Sequence, residues 1–394
     1  MTQRRALIWA VLGAVLIAGL IAGMARAALP QNPVFAARRA AEDLKSATRA
    51  LSDARLAKDR VAALSRTIAA YEDGLRAMRE ALRKAAIRER AMRLELGAKR
   101  ARISHLLGVL QTLQRASTPL LLLHPAGPLG TVRSGMILSE VTPALQQKAE
   151  ELRAQIQEIL ALQSLQKTAI ADLKMGLKGV QDARISLSLA MEQRTHLPRR
   201  LTSDPKKLKQ LADNSRTMTG FANGLADLPF EGPAPATRDF AAARGKSAGN
   251  LPLPVFGTLL HGFNEADAAG IRRPGIVLSA PPVSLVTTPW PATIRYRGPL
   301  LDYGNVIILE PSAGYLIVLA GLGQIYGEVG QILSAGDPVG LLRGKDPSAR
   351  DFLVEASQGG GEIRQETLYI EIRKDRKPVD PGAWFALKNK VKKR

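Results

Sequence analysis

The histidines of this chain limit the metal chemistry that it can perform. A catalytic zinc ion is held by His, Cys and carboxylate side chains and keeps one position open for water. The chain has 394 residues and no cysteine, which excludes disulfides, thiol catalysis and thiolate-bound zinc. Its four histidines are His105, His124, His196 and His261, and only His261 lies in the C-terminal third. We therefore predict no metal site, no cofactor and no catalytic residue there, with a carboxylate-only site for a hard cation as the alternative left open.

The C-terminal third has the sequence pattern of a β domain. Short β-branched runs alternate with Gly and Pro from residue 251 to residue 387. This alternation is typical of short antiparallel strands joined by tight turns. The predicted strands include residues 275–278, 292–296, 305–309, 315–319 and 368–372. The last residues, 388–394, are predicted to form a basic tail.

The first half of the chain has a helical periodicity. Residues 34–117 contain no proline and are predicted to form one long helix. An apolar seam in it alternates spacings of 4 and 3 residues, as a coiled coil requires. The seam residues are Leu64, Ile68, Tyr71, Leu75, Met78 and Leu82. A second helix is predicted from residues 142–143 to residue 197. Because either helix alone would leave its apolar stripe in water, the pair is predicted to form a hairpin over residues 34–200.

The sequence thus predicts an α+β multidomain chain, in which a long antiparallel coiled-coil hairpin precedes a mainly antiparallel β domain. The break between the two helices, residues 118–141, contains four consecutive leucines: Leu120, Leu121, Leu122 and Leu123. Apolar residues at the tip of a coil favour a docking site for a partner. A local cap of the hairpin is the alternative.

Between the hairpin and the β domain, residues 203–225 are predicted to form an amphipathic helix. Ser, Asp and Pro at residues 203–205 are a start signal, because Pro fits the first helical turn. The apolar side consists of Leu208, Leu211, Met218, Phe221 and Leu225. Packing on the hairpin as a third helix is one interpretation of this pattern. Residues 226–250, rich in Gly, Pro, Ala and Ser, are predicted to be a linker.

The N-terminus predicts export. Arg4 and Arg5 precede an apolar stretch over residues 6–23, and Ala25 and Ala27 flank Arg26 as in a signal-peptidase site. We predict a signal peptide over residues 1–27, cleaved after Ala27, and a periplasmic location; an uncleaved inner-membrane anchor is the alternative. The net charge of +21 suits an acidic protein, an anionic membrane or nucleic acid. Export argues against nucleic acid as the partner.

The motif order within residues 251–387 resembles that of the LytM domain, peptidase family M23. The matching frame includes Pro254-Val255-Phe256-Gly257, Asp302-Tyr303-Gly304-Asn305, Ala335-Gly336-Asp337-Pro338 and Leu368-Tyr369-Ile370-Glu371-Ile372-Arg373. Active members of that family bind zinc through a His-x-Gly-x-Asp motif and a His-x-His motif. The first motif aligns here with residues 273–277 and the second with residues 367–369. The resemblance implies a degenerate domain, in which Arg273, Val277 and Tyr369 occupy ligand positions.

The order of a signal sequence, a coiled coil and a degenerate LytM domain resembles the EnvC-like murein hydrolase activators. This resemblance implies a non-enzymatic division factor that acts close to peptidoglycan. It implies activation of a periplasmic N-acetylmuramyl-L-alanine amidase and recruitment through the coiled coil to the membrane complex FtsEX. It also implies that the helix over residues 203–225 is autoinhibitory and lies in the groove of the β domain.

The resemblance further implies an amidase-binding groove. Its residues are Arg272, Arg273, Val277, Tyr369, Glu371 and Arg373. Tyr and Arg are frequent anchors of protein interfaces. The alternative is structural: Tyr369 fills the vacated cavity and Arg373 pairs with a surface acid. Two other functions stay open at this point, an active zinc endopeptidase with a rearranged site and a periplasmic bridging adaptor.

Overall fold

The computed structural model describes most of the chain. The described residues are 32–57, 59–115, 127–193, 201–202, 205–228, 230–231, 240–244, 249, 251–267, 269–348, 351 and 365–387. The predicted signal peptide (residues 1–27), the four leucines of the coil tip (residues 120–123) and the basic tail (residues 388–394) lie outside them. Among the described helices, none is both long enough and apolar enough to span a membrane.

The N-terminal region is an antiparallel bundle of long helices. The helices are α1 (Pro33–Leu56), α2 (Arg60–Arg115) and α3 (Gly127–Glu192). The Tyr71 hydroxyl of α2 donates to Thr48 Oγ1 of α1 over 3.1 Å, which fixes the antiparallel pairing of these two helices. Arg88 of α2 pairs with Glu158 of α3 over 3.0 Å.

The predicted seam is the core of this bundle. All six seam residues of α2 are buried, together with an aligned set on α1 and on α3. Among the described glycines of the bundle, Gly179 of α3 has the least room, because an added Cβ would lie 2.4 Å from the Tyr71 hydroxyl. Glycine at this position therefore lets the two helices approach around the tyrosine ring.

The prediction of one helix over residues 34–117 is wrong, because the chain turns back after Leu56. The Asp59 carboxylate accepts from the Ala62 amide over 3.1 Å and so starts α2 as an N-cap. The region predicted as a two-helix hairpin therefore contains three described helices. The predicted start of the second helix is also wrong, since α3 begins at Gly127 and contains Pro143. The free energy lost with one backbone hydrogen bond at Pro143 is small compared with the free energy that the cooperative extension of a 66-residue helix contributes.

The amphipathic segment forms two helices where one was predicted. They are α4 (Pro205–Asn214) and α5 (Met218–Asp227). The break between them follows from local hydrogen bonding: Thr217 is the N-cap of α5, and its hydroxyl accepts from the Gly220 amide over 3.0 Å. The Ser215 amide and hydroxyl both donate to the Leu211 carbonyl, which ends α4.

The predicted linker over residues 226–250 is structured in its described parts. The strands β1 (Leu201–Thr202) and β2 (Phe230–Glu231) precede and follow α4 and α5 in the chain, and they pair with each other antiparallel. A 3₁₀ turn, Phe240–Ala243, buries Phe240 against Trp384 with ring centroids 5.8 Å apart. An aromatic ring at this position removes a large apolar area from water, which the Gly- and Pro-rich composition did not indicate.

The C-terminal region is an antiparallel sheet, as predicted. Its strands are β3 (Thr258–His261), β4 (Ile276–Ala280), β5 (Leu285–Thr287), β6 (Ala292–Pro299), β7 (Asn305–Glu310), β8 (Tyr315–Ile325), β9 (Ile332–Leu333), β10 (Pro338–Leu342), β11 (Glu366–Lys374) and β12 (Lys377–Val379). The main order is β3-β4-β11-β8-β7-β6-β9, and β10 pairs with both β5 and β8. All five strands predicted from the sequence are present.

The two faces of this sheet are covered differently. On β11, Leu368, Ile370 and Ile372 point into the main core of the domain. The alternating residues of the same strand, beginning with Tyr369, point to the opposite face. On that face α4 and α5 pack against β6, β7, β8 and β11. The candidate site lies at the edge of this second face.

Candidate functional site

An open groove of about 480 Å³ runs across β4, β8 and β11. Val277 of β4 lies opposite Tyr369 of β11 in the antiparallel register, and Tyr369 lies opposite Ala320 of β8. Arg273 precedes β4 and joins them at the rim. The three positions that the sequence identified as former ligand positions therefore line one groove. Arg272, the fourth predicted residue found here, lies beside Arg273.

Arg273 carries positive charge at the mouth of the groove. Its guanidinium donates to Asp267 Oδ2 over 3.0 Å, and its side chain is 40% exposed. Hydrogen bonds from the backbone amide of Ile271 lower the pKa of Asp267, with further lowering by Ala269 and Arg273. An exposed pair of this kind contributes little to stability, so the main effect of Arg273 is a partly exposed positive charge at the groove mouth.

Tyr369 forms the floor of the groove. Its hydroxyl donates to Glu371 Oε2 over 2.6 Å, and its ring lies 5.5 Å from the ring of Tyr303. Burial, with the Glu371 charge beside it, raises the pKa of Tyr369 far above its ordinary value. The phenol therefore stays protonated at physiological pH and acts as a hydrogen-bond donor.

Glu371 and Arg373 lie on the same face as Tyr369 but outside the groove. Both side chains are about 1% exposed and form an ion pair beneath α5. Arg373 also donates to Asn223 of α5 over 3.0 Å and to the Arg376 carbonyl over 2.6 Å. In this conformation Arg373 is buried, and its acidic partner is buried as well and not a surface acid.

The five apolar residues predicted on the amphipathic segment all pack against this face. Phe221 is fully buried and meets the Tyr296 ring edge-on at 4.7 Å. The cluster on the sheet side consists of Tyr296, Leu300, Val306, Ile308, Leu316, Val318, Ala320 and Tyr369. Met218 and Leu225 are buried with Phe221, while Leu208 and Leu211 of α4 are partly buried beside them. The segment thus covers the sheet directly adjacent to the groove.

The C-terminal end of α5 is held by a buried arginine. Arg295 of β6 donates to the carbonyls of Leu225 and Leu228 over 2.7 Å each. These carbonyls belong to the end of a helix, where the backbone carries partial negative charge. Arg295 therefore fixes the position of α5 on the sheet.

Sequence reasoning selected only four of the residues that line the groove, and three of the others bear on its shape. Tyr303, Arg343 and Gly321 all line it. Tyr303 lies within the family motif Asp302-Tyr303-Gly304-Asn305, which could have identified it as a groove residue. Arg343 donates to the Tyr303 carbonyl over 3.2 Å, a contact between residues 40 apart that no local pattern indicates. Gly321 has φ of 102° and approaches the Thr367 carbonyl, so a side chain there would be excluded by strain and by contact.

The residues at the former ligand positions do not fit a zinc ion. A guanidinium, an isopropyl group and a protonated phenol replace the imidazole and carboxylate ligands that zinc takes. Arg273 would moreover repel the cation. Within the described ranges, no group of three or more His, Cys, Asp and Glu side chains lies close enough to hold a metal.

Comparison with known proteins identifies a family model that matches the C-terminal region. Residues 272–381 match the sequence model of Peptidase family M23. An uncharacterized protein of Neisseria meningitidis serogroup B is 26% identical over 154 residues, 39% of this chain and 23% of that protein. An uncharacterized protein of Haemophilus influenzae is 26% identical over 140 residues, 36% of this chain and 30% of that protein. The similarity thus spans less than a third of either curated relative.

Among solved structures, a zinc containing peptidase from Vibrio cholerae is 17% identical, covers 37% of this chain and 41% of that one, and has a TM-score of 0.26. The family match starts at Arg272 and ends at Pro381, so it includes the groove and the strands that form it. The C-terminal region of this chain is a peptidase family M23 domain, joined to a long helical region.

Proposed function

We propose that this protein is an exported, non-enzymatic activator of peptidoglycan N-acetylmuramyl-L-alanine amidases. In this proposal the M23 domain binds the amidase, and the helical bundle recruits the protein to the membrane complex FtsEX during cell division. The observation that carries it is the groove, which Arg273, Val277 and Tyr369 line at the positions where the family resemblance implies metal ligands. A fold can lose its chemistry and keep a binding surface.

The composition of the groove supports binding of a protein. Two tyrosine rings, Tyr303 and Tyr369, lie 5.5 Å apart at its floor, and Arg272, Arg273 and Arg343 line it. Tyr and Arg combine a large contact area with directed hydrogen bonds, and both are enriched among residues that dominate binding energy. A segment of the amidase would bury the rings and place acceptors toward the guanidinium groups.

The segment α4–α5 supports regulation of that binding. It buries its apolar side on the sheet next to the groove and sequesters Arg373 through Asn223. In the proposed resting state this segment restrains the domain. Activation releases it, which uncovers Arg373 and the apolar cluster for the amidase. The two conformations would differ in the docking of one short helical segment, a device that many switches use.

The proposal is tested by amidase stimulation with paired charge reversals. Arg273→Glu changes the groove, whereas Arg66→Glu changes an exposed arginine of α2 that lies in the bundle. We expect Arg273→Glu to weaken binding and stimulation of a purified amidase, with an unchanged melting temperature because the side chain is partly exposed. Arg66→Glu should behave as wild type. Equal stimulation by all three proteins would contradict a role of the groove.

A further inference from the structure

A polar joint connects the helical bundle to the M23 domain, and its apolar neighbours belong to a different buried cluster from the one that contains α5. The joint triad consists of Glu72 on α2, Arg184 on α3 and Asp346 in the loop after β10. Arg184 donates Nη2 to Glu72 Oε1 over 3.1 Å and Nη1 to Asp346 Oδ1 over 2.5 Å. The backbone amide of Leu285 on β5 donates to the same Glu72 oxygen over 2.9 Å. One carboxylate of the bundle therefore holds both a neighbouring helix and the sheet.

Apolar contacts flank the buried part of the triad, while Asp346 is 24% exposed and also accepts from Gln181 over 3.3 Å. Leu285, Tyr326 and Leu341 of the M23 domain belong to the same buried cluster as the core of the bundle. The Tyr326 hydroxyl also hydrogen-bonds to Ser188 of α3 over 3.1 Å. The side chains of Glu72 and Arg184 are each only 9% exposed. Charges in such a setting are strongly coupled, because little solvent screens them.

The triad is not fully satisfied. Within the described part of the chain, Glu72 Oε2 and Arg184 Nε are buried and have no hydrogen-bond partner. A buried ion pair is favourable only when its remaining donors and acceptors are paired. This joint is therefore less favourable than a fully paired one, and a displacement of α2 against α3 would alter the pairing of Glu72 with Arg184.

The joint leads directly to the groove. Asp346 follows Arg343 by three residues in the chain. The Arg343 carbonyl accepts from the Val283 amide over 3.1 Å, and its guanidinium donates to the Tyr303 carbonyl over 3.2 Å. Arg343 and Tyr303 both line the groove. One end of this short segment is thus held by the bundle, and the other end forms the wall of the binding site.

We infer that Arg184 and Asp346 are positioning residues, through which the bundle sets the placement of Arg343 and Tyr303 in the groove. This inference rests on the proposed function for its amidase readout. It adds a second route from bundle to groove, independent of the release of α4 and α5. By linkage, a partner that shifts α2 against α3 changes the affinity of the groove, and an occupant of the groove changes the affinity of that partner equally.

The test is a double-mutant cycle in the full-length protein. Asp346→Asn removes the carboxylate charge that pairs with Arg184 and keeps the size of the side chain. Arg343→Met removes the hydrogen bond to the Tyr303 carbonyl in the groove. We expect each to weaken amidase binding by about two- to thirtyfold, the usual range for residues along a coupled network. Because Asp346 acts through Arg343, the double variant should bind no more weakly than Arg343→Met. Additive losses, or wild-type binding by Asp346→Asn, would overturn the inference.

A second measurement does not depend on an amidase. Hydrogen exchange at residues 300–304, which carry Tyr303, should be faster in Asp346→Asn than in wild type. The matched control is Glu158→Gln, which breaks the exposed pair with Arg88 and leaves the joint untouched. Unchanged exchange in Asp346→Asn would overturn the coupling. A wild-type protein that stimulates no amidase would instead refute the proposed function, while the exchange result would still decide the coupling.

Discussion

Truncation of Phe221 to Ala is the most direct way to release the segment α4–α5 from the sheet. Phe221 is fully buried and packs edge-on against Tyr296. Removing a buried phenylalanine side chain costs about 3–5 kcal/mol. The contacts that are lost exist only while α5 is docked. Most of the free-energy loss therefore destabilises the docked state relative to the undocked state. Since about 1.4 kcal/mol is a factor of ten, docking should weaken by at least about a hundredfold.

The assay for Phe221→Ala is stimulation of a purified amidase by the full-length protein alone. We expect stimulation to rise above that of wild type, because the undocked population increases. Leu94→Ala is the matched control, since Leu94 of α2 is 67% exposed and its truncation leaves α5 in place. If Phe221→Ala lowered the melting temperature but left stimulation at the wild-type level, the segment would be structural and the proposed restraint would be refuted.

Three further predictions concern buried groups elsewhere. Arg373→Met should destabilise the protein by about 3–5 kcal/mol in urea unfolding, because it leaves Glu371 buried without its cation, and adding Glu371→Gln should recover much of the loss. Burial raises the pKa of Glu72, so the charged form is penalised in the folded state. The free energy of unfolding of wild type should therefore fall relative to that of Glu72→Gln as the pH rises through the raised pKa. A difference between the two proteins that does not change with pH would contradict this. Gly179→Ala should destabilise the bundle by about 1–3 kcal/mol, because the added methyl group overpacks against the Tyr71 ring. Gly97→Ala should stabilise it by about 0.5–1 kcal/mol, because an added methyl group there meets nothing within 4 Å. Thermal unfolding of both variants checks this.

The strands of the M23 domain were predictable because local pattern and burial agree. A run such as residues 305–309 is β-branched and flanked by Gly, and it forms the buried strand β7. The grouping of Arg273, Val277 and Tyr369 was instead implied by the family resemblance, whose motifs align with these three positions. Antiparallel pairing of β4 with β11 then brings Val277 and Tyr369 opposite each other.

The turn between α1 and α2 was missed for a physical reason. The buried side of α1 is formed mostly by small residues at alternating spacings: Ala37, Ala40, Leu44, Ala47, Leu51 and Ala54. Alanine buries little area and is the best helix former. The sequence of α1 therefore looks like the first part of the same helix as α2. The capping carboxylate of Asp59 was the only local signal of the break.

The burial of Glu371 and Arg373 could not be read from their own strand. Alternation on β11 places both on the face of Tyr369, and it does not say what covers that face. The cover is α5, whose Asn223 reaches Arg373 from 150 residues away in the chain. Contacts of this kind depend on how separate elements pack, as does the joint between Arg184 and Asp346.

In the proposed function, this M23 domain acts through binding and not through zinc chemistry. The measurement that tests it most directly is release of dye-labelled peptidoglycan by the purified full-length protein with added zinc, with and without a purified amidase. We predict no release by the protein alone at any zinc concentration, and release above the amidase-only level when both are present. Release by the protein alone, together with stoichiometric bound zinc, would contradict the account.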